Sequence, residues 1–300
     1  MSPLSQFLMT AFVILISSLV FMVGSVLLAL PLFGLNSIVS IHDLSNLTNP
    51  ETVEVLKYFQ VVQSIGLFVV PPMIIGWLFQ GNFTEYLLLN KKISWTTALL
   101  VVFLIFFASP FINYVGALNS KMTFPGWLSG VEEWMRSAED KAEQLTDAFL
   151  NVKTFPAFMF NMFMIAFLPA IGEEFLFRGV LQKILTNWTK NVHWGIWITA
   201  VLFSAFHFQF FGFLPRLLLG VIFGYLLIWS GSLWFPIIAH FVNNAAAVTV
   251  TWMVSRNMIG HSVEDIGATS GSLYFAVISL IITVTLLWYI KRLEAGGDEF

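Results

Sequence analysis

The sequence predicts an all-α, polytopic transmembrane helix bundle of about eight spans, with one amphipathic helix in a loop. Three observations predict it. Hydrophobic residues make up 58% of the 300-residue chain and charged residues 10%, where a soluble domain carries about 25% charge. Apolar runs of roughly 20 residues, the length that crosses a bilayer, recur along the whole chain. Gly and Pro punctuate their boundaries, at Pro71, Pro72, Pro110, Pro215, Gly231 and Pro236. A soluble chain this apolar could not cover its surface with polar groups, so the expected surrounding is a lipid bilayer.

In order, the spans are expected at about 8–33, 58–80, 95–117, 155–182, 193–211, 215–231, 233–254 and 272–291. The N-terminal "MSPLSQFLMT" lacks the basic region of a cleaved signal peptide, which predicts a retained first span. The first loop, 34–57, is polar, with His42, Asp43, Glu51 and Glu54. In the longest loop, 118–153, Leu128, Val131, Met135, Ala138, Ala142, Leu145 and Phe149 recur at three- and four-residue steps. That spacing predicts an amphipathic helix, with Glu132 and Arg136 as an i,i+4 pair. Such a helix either lies at the interface against the bundle or faces a substrate. Neither an internal repeat nor a linker divides the chain, which is expected to form a single integral membrane domain over 1–300.

Eight spans place both termini on one side. The loops there are expected to carry Lys91, Lys92, Arg178, Lys183, Lys190, Lys291 and Arg292, against Lys57, Lys121, Arg136, Lys141, Lys153, Arg216 and Arg256 opposite. The counts are equal, but the second set is scattered and diluted by an acidic loop. Both termini are therefore expected in the cytoplasm of a bacterial cell, with the protein in its cytoplasmic membrane. A net charge of −3 speaks against nucleic acid as a partner. The absence of cysteine excludes disulfides, thiolate metal sites and a cysteine nucleophile.

Charged groups inside a membrane are costly and mark function. The stretch "IGEEFLFRGVLQ" follows the apolar "AFMFNMFMIAFLPA" yet holds Glu173, Glu174 and Arg178. "FSAFHF" sets Phe203 and His207 one helical turn apart, and "HFVNN" does the same for His240 and Asn244. Residues four apart share a helix face. Each cluster alone has a structural reading: an ion pair for Glu174 and Arg178, interhelical hydrogen bonds for the others. Together, two carboxylates, two imidazoles and an amide on three helices point to one convergent site. Glu173 and His207 share a depth if the fourth helix continues past Gln182 or the fifth begins outside the bilayer. Both are expected, because His207 lies about 21 Å beyond His193 along a helix.

Such a set suits water attack on a peptide carbonyl. A carboxylate in a low-dielectric pocket can act as general base. One imidazole can orient that base or share its proton. A second imidazole and an amide can donate to the developing oxyanion.

The order Glu-Glu-x-x-x-Arg, Phe-x-x-x-His, His-x-x-x-Asn resembles the CPBP family of CAAX prenyl proteases and bacteriocin-processing membrane proteins. The flanking "FRG" and "LQ" resemble it too, and the likeness covers about 155–255. It implies an intramembrane endopeptidase acting on a peptide or membrane protein, without a cofactor. Glu173 would activate water with help from His207, and His240 and Asn244 would hold the oxyanion. Glu174, Arg178 and Phe203 would support them. Two other readings stay open. One is a zinc protease using His207, His240 and Glu173, which full activity of metal-free protein in chelator would eliminate. The other is a membrane immunity or scaffold protein that keeps the fold and uses the cavity only for binding.

Overall fold

The computed structural model describes residues 1–40, 47–263 and 265–295. His42 and Asp43 of the expected polar loop lie outside the described residues. The helices, in chain order, are α1 (Pro3–Val39), α2 (Pro50–Gln80), α3 (Trp95–Ser120), α4 (Ser129–Leu150), α5 (Phe155–Thr189), α6 (Val192–Ala205), α7 (Phe213–Ser230), α8 (Trp234–Ser255) and α9 (Leu273–Glu294). Seven are long and apolar enough to cross a membrane: all except the amphipathic α4 and the shorter α6. The chain is an all-α integral membrane protein, and the described residues contain no strand.

Local chemistry starts and stops these helices. The side chains of Asn49, Ser94, Thr154 and Asn191 accept backbone N–H groups at the starts of α2, α3, α5 and α6, which satisfies donors that the helix leaves free. Gly231, at φ 61°, closes α7 in the left-handed conformation that glycine adopts without strain. Side chains such as Leu8, Phe12, Leu15 and Leu27 of α1 stay exposed, as a lipid-facing surface requires. A core of Val101, Leu104, Phe223, Leu226, Phe235, Ala239 and Ile290 joins α3, α7, α8 and α9. A second, with Ile75, Leu87, Val180, Ile184 and Leu233, packs α2 and α5 against the start of α8.

Two differences from the sequence reading shape the site. The fifth span does not run to 211: α6 ends at Ala205 and an irregular loop occupies 206–212. Fourteen residues of helix rise only about 21 Å, short of the roughly 30 Å hydrocarbon core, so α6 is not by itself long enough to cross it. Phe208 turns it with φ 54°. The fourth helix does continue past Gln182, to Thr189. Arg178 and Lys183 therefore belong to a helix, and Arg178 is fully buried, so neither counts as a loop charge.

The helix α5 is not uniform. It widens into π turns at Met162–Phe167 and Phe175–Leu181, on either side of the two glutamates. Such widened turns recur at functional sites. Pro169 has no N–H for the carbonyl of Ile165 four residues back, and the Asn244 side chain donates to that carbonyl at 3.1 Å instead. Beside Glu173, a Cβ on Gly172 would lie 2.8 Å from Phe68 Cβ, so only glycine lets α2 approach this closely.

Candidate active site

Among the charged groups, Glu174 and Arg178 are the most deeply held. Both are fully buried, and Arg178 Nη1 donates to Glu174 Oε1 at 2.8 Å. Arg178 Nη2 donates to the Gly220 carbonyl at 3.2 Å, and its guanidinium lies over the Phe203 ring at 4.4 Å. The i,i+4 pair expected from the sequence is thus an anchor between α5, α6 and α7.

Glu174 has a second partner that helix spacing did not suggest. His240 Nδ1 lies 2.8 Å from the same Glu174 Oε1. A carboxylate paired with arginine accepts, so Nδ1 carries the hydrogen and the opposite nitrogen, Nε2, is turned inward. The His240 ring is walled by Phe223, stacked at 5.4 Å, and by Phe203, edge-on at 5.8 Å.

His207 is set in the same sense by different means. Its Nδ1 lies 2.8 Å from the Phe203 carbonyl. A carbonyl only accepts, so here too Nδ1 is protonated and Nε2 is free. Phe203 therefore serves both histidines and Arg178, through its carbonyl and through its ring.

Glu173 stands between these two nitrogens. Its Oε2 is 3.9 Å from His207 Nε2 and 3.9 Å from His240 Nε2. This oxygen is buried and accepts no hydrogen bond from any described protein group. The residue Glu173 lines a cavity of about 700 Å³ together with Phe203, His207, Arg216, His240, Asn243 and Asn244. The helix α4 forms one wall, through Ala142, Leu145, Thr146 and Phe149. The amphipathic helix both packs on the bundle and faces the cavity, so the two readings of its apolar face coincide.

Helix phase suggests that only one of the two adjacent amides could reach the pocket of His240. The structure corrects this: Asn243 and Asn244 both line the cavity. Asn243 Nδ2 donates to Asn244 Oδ1 at 3.1 Å, so the pair acts as one unit. Each amide nitrogen has two hydrogens, and each keeps one beyond the bonds named. Arg216 was counted only as a loop charge in the sequence. Among the described residues it is the one Arg or Lys lining the cavity, held at Nη2 by Gln209 Oε1 at 2.7 Å. Its place could not be read from spacing, because it depends on where α6 stops.

Ligands on a tetrahedral zinc with bonds of about 2.0–2.2 Å stand about 3.4 Å apart, whereas Glu173 Oε2 is 3.9 Å from each imidazole nitrogen. No group of three or more His, Cys, Asp or Glu among the described residues is arranged to hold a metal ion.

On α4, outside the spans, the Arg136 side chain and the Phe124 N–H hold the Glu132 carboxyl below the usual carboxylate range. A lowered carboxylate stabilises the fold above that range and loses its contribution as pH falls through the folded value.

Residues 155–246 match the family described as type II CAAX prenyl endopeptidase Rce1-like. The match bears out the resemblance carried by the three motifs, and it spans the stretch from the start of α5 to just beyond Asn244. A curated relative, the uncharacterized protein YpbD of Bacillus subtilis (strain 168), is 32% identical over 108 residues. The match covers 33% of this chain and 50% of the relative, so the chain spans about half the length of the curated relative it matches. No solved structure matches the chain.

Proposed function

We propose that this protein is an intramembrane endopeptidase in which Glu173 activates water against a peptide bond. The observation that carries the reading is the buried, unpartnered Glu173 Oε2 between two inward-turned imidazole nitrogens, on a residue that lines the cavity. The match of residues 155–246 to a prenyl endopeptidase family supports it. Glu173 takes a proton from water while the hydroxide oxygen bonds to the carbonyl carbon. The carbonyl oxygen becomes an oxyanion and accepts from the uncommitted amide hydrogens of Asn244 and Asn243. His240, fixed at Nδ1 by Glu174, turns Nε2 toward the same oxyanion and helps to hold it. When the tetrahedral intermediate collapses, the C–N bond breaks and the proton held by Glu173 passes to the leaving amine. His207 shares that proton and keeps Glu173 aimed.

The protein core 155–255 would carry this activity within one integral membrane domain, with no metal or other cofactor taking part. The substrate is a peptide or membrane protein that enters the cavity from the bilayer or from the face bearing α4. Comparing membrane peptides from cells with the wild-type protein and with Glu173→Ala tests the reading. Fragments present only with the wild type are expected. Identical peptide sets would favour the immunity or scaffold reading.

Asn244→Ala is expected to lower kcat by about 10²–10³-fold with less effect on KM, the usual cost of losing an oxyanion donor. Asn243→Ala is expected to be milder, because its loss leaves Asn244 still held by Ile165. Thermal melts of both variants control for folding. Equal losses, or a larger one at Asn243, would place the oxyanion elsewhere.

We further propose that both termini are cytoplasmic. The chain crosses eight times if the short α6 completes a crossing, so α4 and the loop 206–212 then lie on the opposite face. A cytoplasm-active reporter fused to the C-terminus should be active; an inactive one reverses the orientation.

A further inference from the structure

The loop 206–212 poses a physical problem. It is non-helical backbone between two apolar helices, so its N–H and C=O groups have no helical ladder to pair them. Such a loop persists only if side chains or a cavity serve its polar groups. In this protein side chains serve several of them, in the loop and at the start of α7. Asn119 of α3 donates to the Phe210 carbonyl at 3.1 Å and accepts from the Leu214 N–H at 2.6 Å. Ser204 donates to the Phe213 carbonyl at 2.7 Å. Arg216 donates to the Gln209 carbonyl at 3.4 Å.

A further contact comes from α4. Glu139 of α4 accepts the Phe211 N–H at Oε2, at 3.0 Å. Around it, α4 grips the same loop through side chains. Arg136 lies over the Phe211 ring at 4.3 Å, and Trp134 meets Phe210 at 5.2 Å between ring centroids. Gly212 leaves room for this approach: a Cβ there would stand 3.3 Å from Arg216 Nη2 and 3.7 Å from Glu139 Oε1.

We infer that Glu139 is a positioning residue for His207, held by the amphipathic helix rather than by the membrane bundle. His207 is the second residue of the loop, and its Nε2 is placed against Glu173 only while the loop keeps its course. The Phe211 N–H is four residues further on, where the loop turns back into α7. The helix α4 thereby does two things at once: its apolar face walls the cavity, and its Glu139 holds the loop that carries His207. The wall of the cavity and the place of the histidine therefore depend on the same helix. The inference rests on the peptidase reading only for the role of His207; the clamp itself does not.

The test compares Glu139→Ala with Glu139→Gln in purified full-length protein. Glutamine keeps a carbonyl oxygen that can accept the same N–H, whereas alanine does not. Hydrogen exchange of peptides covering 206–212 is measured first, without any substrate. Glu139→Ala should speed exchange there by about tenfold or more, the weight of one hydrogen bond to a charged acceptor, and Glu139→Gln should stay near wild type. Exchange over 234–244 should not change in either. Turnover is then measured on a substrate found by the peptide comparison. Glu139→Ala should lose about tenfold or more in kcat with little change in KM, and Glu139→Gln should recover most of it.

Unchanged exchange in Glu139→Ala overturns the clamp. Faster exchange with unchanged kcat shows a purely structural contact and overturns the positioning role. Faster exchange in a protein whose wild type cleaves nothing keeps the clamp, refutes the peptidase reading and, with it, the role given to His207.

Discussion

Glu173→Gln is expected to give a folded, membrane-inserted protein whose peptidase turnover has fallen by about 10²–10⁴-fold. The carboxamide has nearly the shape of the carboxylate, so the cavity wall is kept. No protein hydrogen bond is lost at Oε2, because that oxygen accepts none from the described residues. What disappears is the capacity to take a proton from water beside His207 and His240, each 3.9 Å away. Melting temperature and yield should therefore stay close to wild type while kcat collapses. Near-normal turnover would remove Glu173 from the chemistry. A dead variant with a lowered melting temperature would mean that the carboxylate supports the fold instead.

Arg178→Ala is expected to fail for the opposite reason. It strips a buried carboxylate of its guanidinium, and breaking such a pair costs about 3–5 kcal/mol. It also empties the space beneath Phe203 and frees the Gly220 carbonyl, which Arg178 Nη2 now serves at 3.2 Å. Expression and melting temperature should drop sharply. The protein that does fold should lose less turnover than Glu173→Gln, because His240 still has Glu174 to hold its Nδ1. Arg178→Lys should fall between, since a single ammonium keeps the charge but not the fork that reaches both Glu174 and Gly220. A well-expressed, normally melting but inactive Arg178→Ala would show that Arg178 touches the substrate.

Much of this protein is determined by its sequence alone, because a bilayer leaves a chain few choices. Backbone groups in hydrocarbon must be satisfied within helices, so runs of apolar residues name the spans, and seven of the eight expected spans match long apolar helices. The i,i+4 step on a helix is rigid, so Glu174 with Arg178 and Glu132 with Arg136 could be paired on paper; both pairs form, at 2.8 and 2.7 Å. The face of α4 was legible for the same reason.

Tertiary structure decided what a one-dimensional period does not encode. That α6 stops at Ala205 follows from a loop whose polar groups are served by α3, α4 and α7, and no local spacing announces those partners. The link from His240 to Glu174 joins residues 66 positions apart on two helices. Its existence depends on how α5 and α8 are rotated against each other. Both amides of Asn243 and Asn244 line the cavity because it is wide enough to meet more than one face of α8. Arg216 and Glu139 read as ordinary surface charges in the sequence. They acquire meaning only where the chain, bent by a short helix, brings them to the loop that carries His207.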